Sequence, residues 1–571
     1  MNRNEIIANL RKHPEISVLI VGGGVNGIGT FRDLALQGVD VLLVDRSDFC
    51  SGASAASSHM LHGGIRYLEN GEFRLVREAL TERNRMLHNA PHYAKPLPTT
   101  IPIYGWLSGF LNAPLKFLNL RDKPSERGAL VIKLGLMLYD WFTRGQQGLP
   151  THRLISRQES LKLRPMLNHE IVCTATYYDA WMPYPERICL EMVLDAEAAS
   201  TSARALNYVS LVSAGGDNVS LRDETTDEVL TIKPKIVINA AGPWIDTTND
   251  SLGKQTHFIG GTKGSHIIVD HPELHRALIG HEMFFENNDG RICLIFALLD
   301  KVIIGTTDIR VDNPEVVCTE DEVDYMIDLV SFVFPKINID RSHIVFRFCG
   351  VRPLPSSDSS RTGAISRDHS IRIIEADSKR NFPVLSLVGG KWTTFRAFSE
   401  QATDNVLKRL NMARKVSTKL LPIGGGKAYP ATDPARQTWL ENLESQTSLP
   451  KARLLQLFER YGTTATEVAM FCAAAPDNEL SSHNEYSCRE IIYLVQHEKI
   501  IHLDDLLFRR SLLAMLGRVT GQLLDEISRI LAEVLDWPED TRVEEVRRVS
   551  EILHNRHGVE LEKLLLMESS S

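Results

Sequence analysis

An α/β fold is what this sequence predicts: a Rossmann-like domain whose pieces are separated by an inserted antiparallel sheet and followed by a helical region. Three observations predict it. A strand, a glycine turn and a helix start succeed one another at residues 17–36, and the same succession returns at 385–396. Between about 256 and 375 strand-like runs dominate. Beyond residue 430 the apolar spacing turns helical.

The first sixteen residues mix charges with single apolar residues and predict a short surface helix, without the continuous apolar core of a secretory signal. Ser17 to Val21 then form an apolar strand running into Gly22, Gly24 and Gly27, the G-x-G-x-x-G spacing. The first glycine permits the turn, the second lets the backbone approach a pyrophosphate, and the third lets helix and strand pack closely. Free N–H groups at the helix start, around Asn26, face the anion. A second apolar strand, Val39 to Asp45, ends in an acid about 20 residues after the glycines, where an acceptor for a ribose hydroxyl belongs. A carboxylate there repels a 2′-phosphate.

Trp106 to Lys133 combine bulky apolar residues, among them Trp106, Phe110, Leu115 and Phe117, with five basic residues against two acids. A net +3 beside such bulk suits an element lying in a lipid interface, and a core helical hairpin with a solvated basic loop fits the same residues. No apolar run reaches the roughly 18 residues of a spanning helix. The nearest, Gly128 to Phe142, is interrupted by Lys133.

Ile155 to Pro165 reads as a capped helix ending at proline. Strands follow at Val172 to Tyr178, Tyr208 to Val212 and Glu228 to Ile232, and a buried one, Ile236 to Asn239, ends in a glycine turn at Gly242. Runs such as His266 to Val269, Ile292 to Phe296 and Lys301 to Ile304 predict the antiparallel insertion. Leu385 to Arg396 restores strand, turn and helix, with Thr393 or Thr394 as N-cap. Leu421 to Pro430 is a linker by composition, and Leu506, Leu512, Leu513 and Leu516 then lie at helical spacing.

With 571 residues the chain predicts two or three domains, and its net charge of −8 gives no support to a nucleic-acid partner held by its phosphates. Eight cysteines form no C-x-x-C pair, which predicts reduced thiols and no metal site in a cytosol-facing protein.

Several ordered motifs carry a resemblance. They are the glycine fingerprint, Ala56-Ser-Ser-His-Met-Leu-His-Gly-Gly-Ile-Arg-Tyr-Leu-Glu69, Asn239-Ala-Ala-Gly-Pro-Trp244, Thr262-Lys-Gly-Ser-His266, Ile304-Gly-Thr-Thr-Asp308, Gly350-Val-Arg-Pro-Leu354, Ala364-Ile-Ser-Arg-Asp368 and Gly389-Gly-Lys-Trp-Thr-Thr-Phe-Arg396. Together they resemble the FAD-dependent glycerol-3-phosphate dehydrogenases over nearly the whole chain, and Leu503 to Arg510 is similar to that family's helical cap domain. The resemblance implies a Rossmann-like FAD-binding domain with an inserted antiparallel substrate domain and a helical C-terminal domain. It also implies hydride transfer from C2 of sn-glycerol 3-phosphate to flavin N5, electrons passed to membrane quinone, and a peripheral place on the cytoplasmic face of the membrane. The expected division is 1–90, 236–255 and 376–420 for FAD, and 91–235 and 256–375 for the insertion, with intervening FAD-domain strands and a membrane-interface segment at 101–142. A linker at 421–430 and the helical domain at 431–571 complete it. A homodimer stays open.

A phosphorylated alcohol needs cations for the dianion, a proton acceptor and the flavin within reach. The matched motifs imply Arg66 and Tyr67 at the flavin face, Arg367 on the phosphate, and Lys391 and Thr307 as further donors. Arg352 is set against the developing ketone oxygen. His266 is the candidate base, because its imidazole titrates nearest neutrality, although Arg352 could itself lower the pKa of the alcohol. Gly22, Gly24, Asn26, Gly27 and Asp45 are expected on the ADP half, with Ser54, Ser57 and Ser58 near the pyrophosphate or the ring and Gly242 on the adjoining turn. Gly389, Gly390, Lys391 and Thr393 would aim a positive helix end at flavin N1 and O2.

Two stretches depart from the family pattern: His59-Met60, and Met182-Pro-Tyr-Pro-Glu-Arg-Ile188, whose Arg187 keeps an arginine. They leave open a longer polyol phosphate such as an erythritol phosphate, and an oxidase using dioxygen is a further alternative. A flavin-binding scaffold without turnover needs no set of matched arginines.

Overall fold

Glu15–Val21 is the spine of the first sheet, and from Val18 onward it is apolar on both faces, as a strand covered on both sides must be. The computed structural model describes residues 2–65, 72–106, 128–142, 149–287, 290–357 and 368–561. In it the spine pairs in parallel with Val41–Val44 and with Val229–Asn239, so that Val21 lies level with Val44 and Asn239. Ala203–Leu206 and Val384–Val388 extend the sheet in parallel, and Ser370–Ile374 closes one edge antiparallel. Because the parallel strands end on the same side, the turns at Gly22, Asp45, Gly242 and Gly389 collect on one rim.

Alternation sorts the two faces. Val18 and Ile20 pack with helices Val25–Leu36, Pro185–Ala199 and Phe395–Arg409, while Leu19 and Val21 pack with the N-terminal helix Arg3–Lys12 and the hairpin Val209–Asp223. The expected strands Glu228 to Ile232 and Ile236 to Asn239 are one strand. Val229 to Ile232 pair antiparallel with Asn218–Asp223, and from Lys233 the same strand pairs in parallel with the spine. Pro234, which has no N–H to donate, falls just past this exchange of partners.

The second sheet is built around Thr262–Val269, which lies antiparallel between Lys301–Gly305 and Ile344–Arg352. Ile292–Leu298, Glu282–Glu286, Lys95–Ile103 and Cys173–Trp181 carry it outward to Met60–Leu61. Its Ile267, Val269 and Ile304 face the helix Glu320–Val333, and its Ile268, Phe296 and Phe348 face the C-terminal helices. The C-terminal region therefore packs directly on the sheet that carries His266.

Those helices start where side chains satisfy their first N–H groups: Thr432, Ser487 and Thr520 accept from Ala435, Glu490 and Leu523. Leu512, Leu513 and Leu516 are not helical as expected. They are buried in turns after the π-helical turn Leu506–Arg510, where the Ser511 hydroxyl donates to the Leu506 carbonyl and Gly517 takes φ +65°. Their spacing served burial.

Two further expectations change. Gly424 to Gly426, read as linker, form a buried joint: a Cβ on Gly426 would come within 2.5 Å of the Asn89 carbonyl, and one on Gly425 would overlap the carbonyl of Tyr461. Arg187, considered for substrate choice, is a fully buried strut. It donates to Glu498 at 2.7 and 2.9 Å and to the Tyr93 hydroxyl at 2.7 Å. Alongside it Asp48, buried, takes ion pairs from Arg509 and Arg510, tying the turn after Asp45 to the C-terminal region.

Ala129–Phe142 buries Ala129, Ile132, Leu136 and Tyr139 and exposes Leu130, Leu134, Met137, Leu138 and Trp141. Trp106 is exposed at the edge of the same region, and the cationic residues between 107 and 127 lie outside the described residues. No helix among the described residues is long and apolar enough to cross a membrane.

Candidate active site

The rim of the first sheet is made mostly of backbone. Gly22 has φ +112°, and a Cβ on it would come within 2.5 Å of the Ala240 carbonyl; one on Gly27 would overlap the carbonyl of Gly22. Gly24 sits at the start of helix Val25–Leu36 with no side chain to cap it, and the Val25 N–H donates to Ser54 Oγ at 3.0 Å. Asp45 accepts from the Gly23 N–H at 2.6 Å and the Ser47 N–H at 2.8 Å. Burial outweighs these bonds and pushes its carboxyl up to about 6. Gly242, φ +58°, has open space where a side chain would lie.

On the same rim Gly389 and Gly390 have φ +78° and +98°, and a Cβ on Gly389 would sit 2.6 Å from the Asp368 carbonyl. Asn26 donates through Nδ2 to the Gly389 carbonyl at 3.4 Å, which joins the two turns; its Oδ1 is buried without a hydrogen-bond partner among the described residues. Thr393 is not a cap: its hydroxyl donates to the His62 carbonyl at 3.0 Å. Thr394 holds the cap position of the following helix without a side-chain bond, and Lys391 opens the preceding turn.

Residues 53–64 form a strap between the two sheets. The Ser54 carbonyl accepts from Trp392 Nε1 at 2.8 Å, the Ser57 hydroxyl accepts from the His59 N–H at 3.3 Å, and the His59 carbonyl accepts from the Met182 N–H at 2.8 Å. Ala56 lies against Gly350, where a Cβ would approach to 2.5 Å. Both sequence departures thus meet in one wall, because Met60 also pairs with Trp181. Beneath the strap, Asp179 accepts from the Gly63 N–H at 3.0 Å, Arg83 at 3.0 Å and Tyr139 at 2.5 Å. Sequence reasoning missed that support, which lies between the strand Val172 to Tyr178 and the departure at Met182.

On the second sheet the candidate site is made of side chains. His266 lies level with Gly305 and Phe348, and its ring stacks on Phe348 at 4.8 Å with 12° between planes. Any side chain at Gly305 would overlap the imidazole. Nε2 lies 2.8 Å from Ser58 Oγ, so Ser58 belongs to this end of the site as much as to the cofactor end. Burial and the nearby Arg352 charge hold the imidazole well below its usual pKa, and thus neutral. Arg352, at the end of its strand, donates to Asp308 Oδ1 at 3.2 Å, Thr306 Oγ1 at 3.1 Å and the Thr307 carbonyl at 3.4 Å. The Thr307 hydroxyl turns away: it accepts from the Ser265 N–H at 3.0 Å and donates to Glu322 at 2.8 Å, in a buried cluster with Lys263.

Phe348 is the other residue sequence reasoning missed here, and His59, noted as a departure, lies beside it. His59 is fully buried with φ +55°, its ring 6.2 Å from that of Phe348, and burial drops its pKa to about 4. Phe348 was legible in principle, since it shares a strand face with Gly350 and Arg352. Arg66, Tyr67 and Arg367 lie outside the described residues.

Residues 17–394 match the FAD dependent oxidoreductase family, and 416–542 match the C-terminal domain of alpha-glycerophosphate oxidase. The chain is 34% identical to a glycerol-3-phosphate dehydrogenase of Synechocystis over 95% of its length and 98% of the relative's. It is 31% identical to a D-erythritol 1-phosphate dehydrogenase of Brucella abortus over 86% and 93% of the two chains. Among solved structures the glycerol-3-phosphate dehydrogenase of Bacillus halodurans complexed with FAD superposes with a TM-score of 0.73 over 97% of each chain, at 22% identity, and so shares the fold.

Proposed function

The chain belongs to the FAD-dependent oxidoreductase family, among the glycerol-3-phosphate dehydrogenases, and from that premise we propose that it oxidises the C2 alcohol of sn-glycerol 3-phosphate to dihydroxyacetone phosphate. FAD, when bound, supplies the acceptor for the hydride. The observation that carries the reading is the strap, which ties the glycine turns of the first sheet to His266 on the second. Hydride transfer needs cofactor ring and alcohol held in contact, and that junction brings the two ends together.

The residues present suit FAD. Gly22 and Gly27 leave no room for a side chain, and the helix start at Gly24 and the Asn26 Oδ1, buried without a partner among the described residues, both lie on the rim. Gly22, Gly24, Asn26 and Gly27 would hold the pyrophosphate, Asp45 the ribose, and Ser54, Ser57 and Gly242 the flanks. Gly389, Gly390 and Lys391 would present backbone N–H groups to the ring, with Thr393 bracing the strap.

Arg367 would take the phosphate with Lys391 as a further donor, and Arg66 and Tyr67 would hold substrate at the flavin face. Arg352, braced by Asp308 and Thr306, would polarise the oxygen that becomes the ketone. Thr307 contributes its carbonyl to that brace. His266, held neutral by burial and the Arg352 charge, would accept the alcohol proton, and the arriving phosphate dianion raises its proton affinity. Electrons would pass on to membrane quinone. The outward apolar face of Ala129–Phe142 supports a peripheral seat on the cytoplasmic membrane face, and sedimentation with anionic vesicles, lost in Leu134→Glu, tests it.

Anaerobic mixing with sn-glycerol 3-phosphate tests the activity: the flavin absorbance should bleach, and a flavin that stays oxidised sinks the reading. A second reading, D-erythritol 1-phosphate as substrate, is favoured by the wall where His59 and Met60 meet Trp181 and Met182. Bleaching by that compound alone would move the assignment there. Peroxide formed in air would replace quinone by dioxygen.

A further inference from the structure

His266 is closed off on nearly every side. It is 1% exposed, Phe348 covers one face of its ring, Gly305 lies against the Cδ2 edge, and Nδ1 has no hydrogen-bond partner among the described residues. Nε2 alone meets another polar group, the Ser58 hydroxyl at 2.8 Å. Ser58 is half-buried and sits midway along the strap, whose position is set by the bonds at Ser54 and His62 and, one residue on, at His59. Among the described residues Ser58 Oγ is therefore the polar atom placed to hand a proton to the imidazole.

We propose that the Ser58 hydroxyl relays the proton between the substrate alcohol and His266 Nε2. The inference rests on the polyol-phosphate reading above and adds a residue to it. As the C2–H electron pair leaves for FAD, the alcohol O–H bond breaks and its proton passes to Ser58 Oγ. The proton that Ser58 carried passes to Nε2, and the C–O bond becomes C=O. The substrate has then lost a hydride to FAD and a proton to His266. The imidazolium sits near Arg352, whose charge Asp308 partly offsets, and that repulsion returns the proton through Ser58 once product has left. Burial serves this arrangement by keeping solvent from protonating the base between turnovers.

Anaerobic stopped-flow reduction of the holoenzyme by sn-glycerol 3-phosphate, and by D-erythritol 1-phosphate in parallel, decides it. Ser58→Ala should keep its full flavin content and its apparent substrate Kd yet reduce about 100-fold more slowly, with a smaller solvent isotope effect. Ser58→Thr, which restores a hydroxyl, should recover to within roughly tenfold of wild type. The double variant Ser58→Ala/His266→Gln should be about as slow as the slower single variant, since the two act as one unit. A Ser58→Ala protein that reduces at the wild-type rate overturns the relay, and so do losses that multiply in the double variant. Flavin lost from Ser58→Ala would make Ser58 a cofactor ligand and also overturn it. If neither compound bleaches the wild type, the polyol-phosphate reading and the relay fall together.

Discussion

The two ends of the site are built from different material. At the rim proposed for the nucleotide, Gly22, Gly27, Gly389 and Gly390 shape the chain by backbone alone, and Asp45 adds a carboxylate. At the substrate end, His266, Arg352 and Ser58 come from three separate segments and meet only because strands Thr262–Val269 and Ile344–Arg352 pair and the strap crosses them. The first kind of site has no room for a side chain at Gly22, Gly27 or Gly389. The second tolerates small changes of shape and fails when a functional group is removed.

The largest test of that contrast is Gly27→Val. The new side chain would overlap the Gly22 carbonyl, so the protein is expected to purify without flavin absorbance or not to fold, as absorbance and a thermal melt would register. Gly390→Val, at φ +98°, should likewise empty the protein of flavin, and retained yellow colour would count against the backbone account. Next is Asp48→Asn, which leaves the buried Arg509 and Arg510 with less negative charge between them. Breaking such a pair costs about 3–5 kcal/mol, read as a fall in Tm. Arg352→Met should leave flavin bound and slow its reduction about 10²–10³-fold, the loss seen when one donor to a developing oxyanion is removed. Loss of flavin instead would erase the distinction between the two ends.

The smallest effect is the most discriminating. Stability changes with pH in proportion to the protons bound by the unfolded chain minus those bound by the folded one. His59 titrates at about 4 folded against 6.5 unfolded, so between those values the unfolded chain binds more protons and stability rises with pH. Asp45 titrates at about 6 folded against 3.8 unfolded, so the folded chain binds more and stability falls as pH rises through the same window. The two ends should therefore pull the pH profile of the flavin-free protein in opposite directions, each by at most about 1.4 kcal/mol per pH unit. His59→Phe should flatten the rise in Tm from pH 4 to 6.5, and Asp45→Asn should steepen it. Equal slopes in both variants would mean that neither group titrates as its surroundings dictate.

Legibility followed the same division. The fingerprint spacing, the acid at Asp45 and the turn at Gly389 could be read because each is a local sequence of residues with a local conformational reason. Helices were legible where capping residues marked them and illegible at Leu512 to Leu516, where apolar spacing matched a helix but the chain runs through turns. Gly424 to Gly426 had the composition of a linker and proved to be a joint, because composition reports flexibility and not the carbonyls of Asn89 and Tyr461 pressed against it. Arg187 shows the converse: a charged residue in a promising motif whose partner, Glu498, lies 311 residues away.

What the sequence by itself determined was the set of turns that must be glycine, the alternation that gives the spine strand its two buried faces, and the ordered motifs that mark the family. Those depend on φ, on side-chain period and on spacing, all of which are local. Only the tertiary structure decided that Ser58 touches His266, that Thr307 turns its hydroxyl toward Glu322, and that His59 and Met182 share one wall. Each of those facts is a distance between segments far apart in the chain, and such a distance is set by strand register and packing, which no short stretch of residues encodes.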